Sequence, residues 1–226
     1  MATELAVFDL DGTLIDSIGD LADAMNAVLH ELGHPIHPRK SYHHFVGDGI
    51  EMLVRRALPP EVVDGIDLLD VVTAMRKEYS SRWLATTRPF PNIPELLAHL
   101  RSRGFRTAVL SNKPDFATRA IVGELFEEET FDVIRGALDE VPLKPNPAAA
   151  LDIISLLGVE VTRSVIVGDT PIDIETGRMA GMRTVGVTWG FREARELIDA
   201  GADFVIHEPL ELLGFLDGAH RGGGFS

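Results

Sequence analysis

Hydrophobic and polar positions divide the chain into two kinds of sequence. After residue 88, short apolar runs of strand length alternate with segments whose apolar residues have helical spacing, whereas residues 17–87 carry helical patterns. An alternation of strands and helices is typical of a doubly wound, mainly parallel α/β sheet. We therefore predict an α/β core that is interrupted by a helical segment.

The first apolar run has the continuous hydrophobicity of a strand buried on both faces, which predicts a strand over 5–9. Apolar residues then recur at steps of three and four over 16–33, which predicts one amphipathic helix. Further helices are expected over 50–58 and 68–84, and no strand is expected within 34–88.

The second half of the pattern predicts the rest of the sheet and its covering helices. Strands are expected at 105–110, 131–134, 164–167, 184–187 and 204–206. Helices are expected at 94–102, 114–124, 146–157, 171–180, 191–200 and 209–216.

The helical segment lies between the first and second strands of the α/β pattern. We predict a core of residues 1–16 and 88–217, an all-helical cap of residues 17–87, and a flexible tail of residues 218–226. Both joints of the cap contain polar residues or proline, as is typical of domain boundaries. An insertion at the carboxyl end of a strand is expected to cover the site crevice like a lid.

Polar side chains follow the strands at the points where they end. Asp9 and Asp11 follow the first strand, and the ligand crevice of an open α/β sheet lies beyond the carboxyl ends of its strands. An Asp-x-Asp-Gly sequence on its own also fits a plain turn. Three further polar clusters favour a site: Ser111 with Asn112, Lys144 in a loop, and Asp169 with Asp173.

The charge balance limits the partners. The 226 residues include 21 Lys and Arg against 35 Asp and Glu, a net charge of −14, which repels nucleic acid and anionic membranes. This field also repels a small phosphorylated substrate unless the site supplies positive charge. Four carboxylates at one sheet edge need a cation, and Mg²⁺ is the usual occupant of carboxylate sites that bind phosphate.

The composition excludes other chemistry. Because the chain has no cysteine, it has no disulfide framework, thiolate metal site or cysteine nucleophile. The start of the chain lacks a signal-peptide pattern, and no apolar run has the length of a membrane span. We expect a cytoplasmic protein that is a monomer or homodimer.

The two carboxylates at the first strand allow a division of labour in phosphoryl transfer. A carboxylate attacks phosphorus and forms an aspartyl-phosphate, which we assign to Asp9. Asp11 would protonate the leaving alkoxide and later deprotonate the attacking water. Lys144, Ser111 and Asn112 would contribute a cation and hydrogen-bond donors, and backbone N–H groups near Asp11 and Gly12 could cradle phosphate oxygens.

These segments resemble, in order and spacing, the four motifs of the haloacid dehalogenase superfamily: Asp9 to Leu14, Ser111-Asn112, Lys144-Pro145, and Gly168-Asp169 with Asp173. The resemblance implies a Rossmann-like core, Asp9 as nucleophile, Asp11 as acid/base, and Ser111 and Lys144 on the phosphoryl group. It implies Mg²⁺ held by Asp9, the backbone carbonyl of Asp11, and Asp169. Asp173 would bind through the metal's water shell or orient Lys144. Gly12 and Thr13 are expected to contact substrate.

Within that superfamily the chain looks most like phosphoglycolate phosphatases, which implies a hydrolase for a small phosphorylated metabolite, above all 2-phosphoglycolate. An acid at position 11 disfavours dehalogenases and phosphonoacetaldehyde hydrolases. The chain departs mildly from the pattern, with Ser111 where many of these enzymes have Thr and Asn146 where His is common. A β-phosphoglucomutase-type mutase and a pyrophosphatase are the enzymatic alternatives. A receiver-type binding module with a long-lived phosphoaspartate is the non-enzymatic alternative, which Asp11 disfavours.

In the cap, the turn Gly47-Asp48-Gly49 is assigned to substrate binding, with a turn that caps a helix as the alternative. Arg55 and Arg56 are candidates for a substrate carboxylate, although exposed helix arginines are more often plain surface. The five cap histidines are interpreted as solvated or packing residues rather than a metal site.

Overall fold

The structure, a computed structural model, describes residues 4–63 and 65–217. The predicted tail, residues 218–226, lies outside the described residues. Six parallel strands form one sheet in the order β5-β4-β1-β6-β7-β8, and two short strands, β2 and β3, form an antiparallel pair. The strands are β1 Leu5–Phe8, β2 Ile15–Asp16, β3 Arg88–Pro89, β4 Arg106–Pro114, β5 Val133–Ala137, β6 Ser164–Gly168, β7 Arg183–Val187 and β8 Phe204–Ile206.

Helices surround this sheet and fill the segment between β2 and β3. They are α1 Ile18–Glu31, α2 Tyr42–Phe45, α3 Ile50–Ala57, α4 Pro60–Val63, α5 Leu68–Ser80, α6 Ile93–Ser102, α7 Asp115–Leu125, α8 Ala148–Leu157, α9 Pro171–Ala180, α10 Ala194–Asp199 and α11 Glu211–Leu216. In the described part of the chain, no helix combines the length and the hydropathy needed to cross a bilayer. The mainly parallel α/β architecture confirms the predicted fold class.

Strand β1 lies at the centre of the sheet and is buried on both faces, as its unbroken apolar sequence predicts. Ala6 and Phe8 pack into one hydrophobic cluster, and Leu5 and Val7 pack into another on the opposite face. Phe8 is in register with Val109 of β4 and with Val167 of β6, so the three strands reach the same edge together. The residues that follow them therefore meet at one place.

Several boundaries differ from the prediction. Strand β4 does not end at residue 110 but continues to Pro114, which pairs with Ala137 after a shift in register. The polar residues Ser111–Lys113 resemble a loop in sequence, yet they are buried against the site. The strands β2 and β3 were not predicted, because a two-residue pair has no hydrophobic period of its own. Helix α5 ends at Ser80, and α10 begins at Ala194.

Helices α1–α5 pack around a hydrophobic cluster of their own, which includes Met25, Tyr42 and Met75. Among the described buried residues of this cluster, Phe191 is the one that lies outside residues 17–87. It belongs to the loop after β7, so this loop joins the helical segment to the sheet. We call residues 17–87 the cap segment.

Asp20 of α1 connects the two ends of the cap segment. Its buried carboxylate accepts hydrogen bonds from the backbone N–H of Thr86 (2.9 Å) and Thr87 (3.0 Å), and from their hydroxyls (2.5 and 2.8 Å). Burial by itself disfavours the carboxylate, but the hydrogen bonds from Thr86 and Thr87 outweigh it and lower the pKa of Asp20. The ionised form thus ties α1 to the chain just before β3.

We expect Asp20→Ala to lower the free energy of unfolding by about 1–3 kcal/mol, because it leaves the backbone N–H and the hydroxyl of the buried Thr87 without an acceptor. A carboxyl whose pKa is lowered on folding stabilises the fold above its unfolded pKa, about 3.9 for Asp, and the stabilisation is lost as pH falls through the folded value. The advantage of the wild type over the variant should therefore shrink below about pH 4. Urea unfolding between pH 3 and pH 7 measures both effects.

Asp23→Ala is the matched control on the same helix. Asp23 pairs with Arg39 at 3.7 Å, and both side chains are about half exposed, so its removal should cost less than about 1 kcal/mol. Equal destabilisation by the two substitutions at pH 7 would contradict the assigned role of Asp20.

Candidate active site

Asp9 stands at the carboxyl end of β1, where its backbone N–H donates to the carbonyl of Val167 (2.9 Å). Its side chain is 11% exposed and lines an open cavity of about 740 Å³ between the sheet edge and the cap segment. Asp9 Oδ1 accepts a hydrogen bond from Lys144 Nζ at 2.8 Å. Within the described residues, Oδ2 has no hydrogen-bond partner, so one oxygen is held while the other is left for a ligand.

Asp169 and Asp173 come from the end of β6 and the first turn of α9. The carboxylate of Asp169 accepts hydrogen bonds from Thr13 Oγ1 (3.0 Å) and from the backbone N–H of Phe191 (2.8 Å). Asp173 Oδ2 closes a capping box with Thr170 at the start of α9. Both carboxylates are held in place before any ligand binds.

Close approach to this edge depends on glycine. A Cβ on Gly12 would lie 2.3 Å from Asp169 Oδ2, and Gly12 also has a φ of +90°, which other residues rarely adopt. A Cβ on Gly168 would lie 2.2 Å from the Asp173 side chain. These two positions let the acidic side chains pack directly against backbone.

Lys144 connects the acidic groups. Its Nζ donates to Asp173 Oδ1 (2.6 Å) as well as to Asp9, and the side chain is 3% exposed. Asn112 fixes the lysine's backbone, because its amide oxygen accepts from Lys144 N–H (2.9 Å) and its amide nitrogen donates to the Lys144 carbonyl (3.1 Å). Asn112 therefore positions Lys144 while also lining the cavity.

Negative charge exceeds positive charge in this cluster. Asp9, Asp169 and Asp173 present carboxylate oxygens within 4.8 Å of one another. Burial raises the pKa of Asp9 to about 7 against the opposing effect of Lys144, and burial with the repulsion of Asp9 and Asp173 raises the pKa of Asp169 well above its usual value. Burial disfavours the Lys144 ammonium, but Asp173 and Asp9 outweigh it and raise the pKa of Lys144. Three buried carboxylates around one lysine fit a hard divalent cation.

The carboxylate of Asp11 does not join this cluster. Its Oδ1 accepts hydrogen bonds from Ser17 Oγ (2.5 Å) and Lys113 Nζ (3.0 Å), and Oδ2 lies 2.8 Å from the same Nζ. The Asp11 side chain thus faces a second lysine at the cavity wall. A metal contact through its backbone carbonyl stays a prediction.

Lys113 is a site residue that the sequence did not identify. It is buried, lines the cavity, and places Nζ 3.0 Å from the hydroxyl oxygen of Tyr79 in α5. Burial disfavours its charge, but Asp11 and Tyr79 outweigh it and raise the pKa of Lys113. The available signal was a lysine directly after Ser111-Asn112, at the end of a buried strand.

Three further residues that the sequence assigned to the site differ in their surroundings: Ser111, Gly12 and Thr13. Ser111 is buried, lines the cavity, and accepts a hydrogen bond from Lys113 N–H at 3.2 Å. Gly12 N–H donates to the carbonyl of Ile15 and Thr13 N–H donates to that of Leu10. The loop itself thus uses the Gly12 N–H, and the cradling of phosphate oxygens by backbone N–H groups near Asp11 and Gly12 stays a prediction. The fully buried Thr13 hydroxyl holds Asp169 rather than substrate.

The cap turn is only partly at the cavity. Gly47 and Gly49 line it, and both have positive φ values, 122° and 86°. Asp48 does not line it; its carboxylate lies 2.5 Å from Arg56 Nη1. The assignment of Asp48 to substrate binding is thus not supported by its position, since a neighbouring arginine already neutralises it. Arg55 and Arg56 do not line the cavity either.

Comparisons with known proteins agree with this geometry. A family model described as haloacid dehalogenase-like hydrolase matches residues 6–187. A phosphoglycolate phosphatase of Aquifex aeolicus is 35% identical over 211 residues, which cover 93% of this chain and 95% of that protein. A phosphoglycolate phosphatase of Pseudomonas putida is 35% identical over 217 residues, covering 92% and 78%.

The fold agrees with the family as well. A crystal structure from Lactobacillus delbrueckii subsp. bulgaricus, provisionally named a phosphoglycolate phosphatase, superposes with a TM-score of 0.89 at 30% identity and covers 96% of this chain and 99% of that one. Family model, relatives and fold thus confirm the resemblance that the motifs indicate. The chain belongs to the haloacid dehalogenase-like hydrolase family.

Proposed function

We propose that this phosphatase hydrolyses a small phosphorylated acid, with 2-phosphoglycolate as the leading candidate, using Mg²⁺ and an aspartyl-phosphate on Asp9. The observation that carries the proposal is the buried cluster of Asp9, Asp169 and Asp173, in which Lys144 pairs with Asp9 and Asp173 and Asp9 lines a cavity. The relatives named phosphoglycolate phosphatase support the choice of substrate.

The donor set supports Mg²⁺. Asp9 and Asp169 would hold it together with the backbone carbonyl of Asp11, since Mg²⁺ prefers oxygen ligands and keeps several waters. Asp173 Oδ1 accepts a hydrogen bond from Lys144, and Oδ2 accepts one from Thr170 in the capping box. We therefore assign Asp173 to orienting Lys144. When bound, the metal neutralises charge on the transferring phosphoryl group.

Asp9 is the proposed nucleophile because it is the carboxylate of the cluster that lines the cavity with an oxygen free of hydrogen bonds to the described residues. Lys144 holds its other oxygen at 2.8 Å, which fixes the direction of attack. Lys144 and Ser111 would bind phosphoryl oxygens, and phosphoryl transfer depends chiefly on such positioning and charge neutralisation.

Asp11 is the proposed general acid and base. Asp11 lies two residues after Asp9 and lines the same cavity. Its carboxylate accepts hydrogen bonds from Ser17 and Lys113. It would give a proton to the leaving oxygen of the substrate and later take one from the water that hydrolyses the aspartyl-phosphate.

We also propose that residues 17–87 act as a cap over the cavity. Val46, Ile50 and Leu53 of this segment line the cavity opposite the sheet edge. The segment is joined to the sheet through the β2–β3 pair and through Asp20, which fixes its ends close together. A cytoplasmic location, a monomeric or homodimeric state, and the lack of nucleic-acid and membrane partners stay predictions.

Mg²⁺ should stabilise the wild-type protein against heat, because it relieves repulsion among the three carboxylates. At a Mg²⁺ concentration 100 times the dissociation constant, the stabilisation expected from linkage is about 2.7 kcal/mol. Differential scanning fluorimetry with MgCl₂ against EDTA measures it. Asp169→Asn should lose most of the shift, whereas the exposed Asp152→Asn in α8 should keep it. An unchanged shift in Asp169→Asn would place the metal elsewhere.

Wild-type protein should release inorganic phosphate from 2-phosphoglycolate faster than from other phosphorylated metabolites in a panel with MgCl₂. Asp9→Asn should lower turnover by more than about a thousandfold, because it removes the nucleophile. Circular dichroism should show an unchanged fold. Retained turnover in this variant would exclude Asp9, and a positional isomer without phosphate release would indicate a mutase. Preferred release from pyrophosphate would indicate a pyrophosphatase.

Asp11→Ala should lower kcat/KM for 2-phosphoglycolate by about 10²–10⁴, because the alkoxide leaving group needs a proton. The loss should be smaller for p-nitrophenyl phosphate, whose phenolate leaves without one. Since kcat/KM reports the steps through formation of the aspartyl-phosphate, the difference isolates the acid role. Equal losses with both substrates would argue against it.

A further inference from the structure

The cavity has two chemically distinct parts. Asp9, Asp11, Ser111 and Asn112 form its polar floor, whereas its walls are mostly apolar. The apolar lining comes mainly from the cap segment and α7: Leu21, Val46, Ile50, Leu53, Trp83 and Phe116. A substrate whose phosphate lies on the floor therefore extends its other end between these walls.

Among the described residues, two cations line the cavity, whereas Lys144 lies beneath its floor. They are Lys113 at the end of β4 and Arg76 of α5. Because Lys113 is buried in surroundings of low dielectric, its charge interacts more strongly with a ligand than it would in water. Asp9 and Asp11 also line the cavity, so the two cations balance its two carboxylates within a chain of net charge −14.

Lys113 has donor capacity left for a ligand. A lysine ammonium carries three N–H donors. In this structure Nζ contacts the Asp11 carboxylate at 2.8–3.0 Å and the Tyr79 hydroxyl at 3.0 Å. One hydrogen bond to Asp11 Oδ1 and one to Tyr79 use two of the three donors, and these partners hold the ammonium at the cavity wall.

Arg76 is exposed, and no hydrogen bond or ion pair is found for it within residues 4–63 and 65–217. Arg56 of the cap segment is paired with Asp48, and Arg82 with Glu78. Arg55 also has no hydrogen bond or ion pair within the described residues, but it does not line the cavity. Arg76 shares its helix face with Tyr79 and Ser80, at spacings of three and four residues, and all three line the cavity. Its planar guanidinium is suited to bidentate binding of a carboxylate.

We propose that Lys113 and Arg76 form a second anion site that binds a carboxylate at the non-phosphate end of the substrate. The proposal rests on the proposed function, because the floor must hold the phosphate for this end to reach the walls. Lys144 then serves the phosphoryl group, and Lys113 with Arg76 serves the acid. The enzyme would accordingly prefer phosphorylated small acids over neutral phosphoesters of the same shape.

The test compares two phosphonates that differ only in charge at one end. 3-Phosphonopropionate carries a carboxylate, and 3-phosphonopropionamide carries a neutral amide of the same shape. Isothermal titration calorimetry with MgCl₂ gives the affinity ratio of acid to amide for the wild type, Arg76→Gln, Lys113→Met and Lys77→Gln. Lys77 is the control, because it neighbours Arg76 on α5 and is exposed but does not line the cavity.

We expect the wild type to bind the acid at least about tenfold more tightly than the amide, as for a charged hydrogen-bonded pair. Arg76→Gln and Lys113→Met should each lose most of this ratio, and Lys77→Gln should keep it. Arg76 is exposed, so its replacement tests the site even where Lys113→Met disturbs the fold. Equal binding of both phosphonates by the wild type, or a ratio retained in Arg76→Gln, would overturn the proposal.

The proposed function is tested by phosphate release, and the anion site by the affinity ratio of acid to amide, so the two can fail separately. If the wild type releases no phosphate from 2-phosphoglycolate and still shows the charge-dependent ratio and its loss in Arg76→Gln, the anion site stands and the hydrolase assignment is wrong. If phosphate is released while the ratio is absent, the hydrolase assignment stands and the anion site is wrong.

Discussion

The buried bridge from Lys144 to Asp9 and Asp173 is the interaction on which the site depends. Burying charges is costly unless each is paired, and here one ammonium faces two carboxylates at 2.6–2.8 Å with a third nearby. The arrangement is possible because the central parallel strands β1, β4 and β6 end at the same edge. The surplus negative charge makes the edge suitable for a cation, so the same feature that is costly for the apo fold prepares it for phosphate chemistry.

A loop on the other side of the edge connects this charge cluster to the cap segment. Phe191 donates its N–H to Asp169 and places its ring in the hydrophobic cluster of the cap. Arg192 donates to the carbonyl of Val46, a residue of the cavity wall. One short loop therefore contacts both Asp169 and the cavity wall, and so connects the charged cluster to the cap segment.

The sequence predicted the features that depend on local pattern. Apolar runs followed by polar residues located Asp9 and Asp169, because parallel strands bring such ends together whatever their separation in the chain. Lys144 was located in a loop before a helix rather than at the end of a strand. The sequence did not predict the contact of Lys113 with Tyr79, which joins residues 34 positions apart and depends on how α5 packs over β4. It also could not show that the Gly12 N–H is used within its own loop, since a turn sequence does not state which carbonyl accepts.

Lys113 connects one of the proposed catalytic groups, Asp11, to the cap segment. The core alone supplies Lys144 and the carboxylates, and these groups contact one another without help from the cap segment. Asp11 differs, because its carboxylate pairs with Lys113, which in turn contacts Tyr79 of the cap segment. The proposed acid/base is thus the catalytic group whose surroundings depend on the cap. If the leaving group binds at Lys113 as proposed, substitutions in the cap segment would change which leaving group is accepted while the phosphoryl site stays intact.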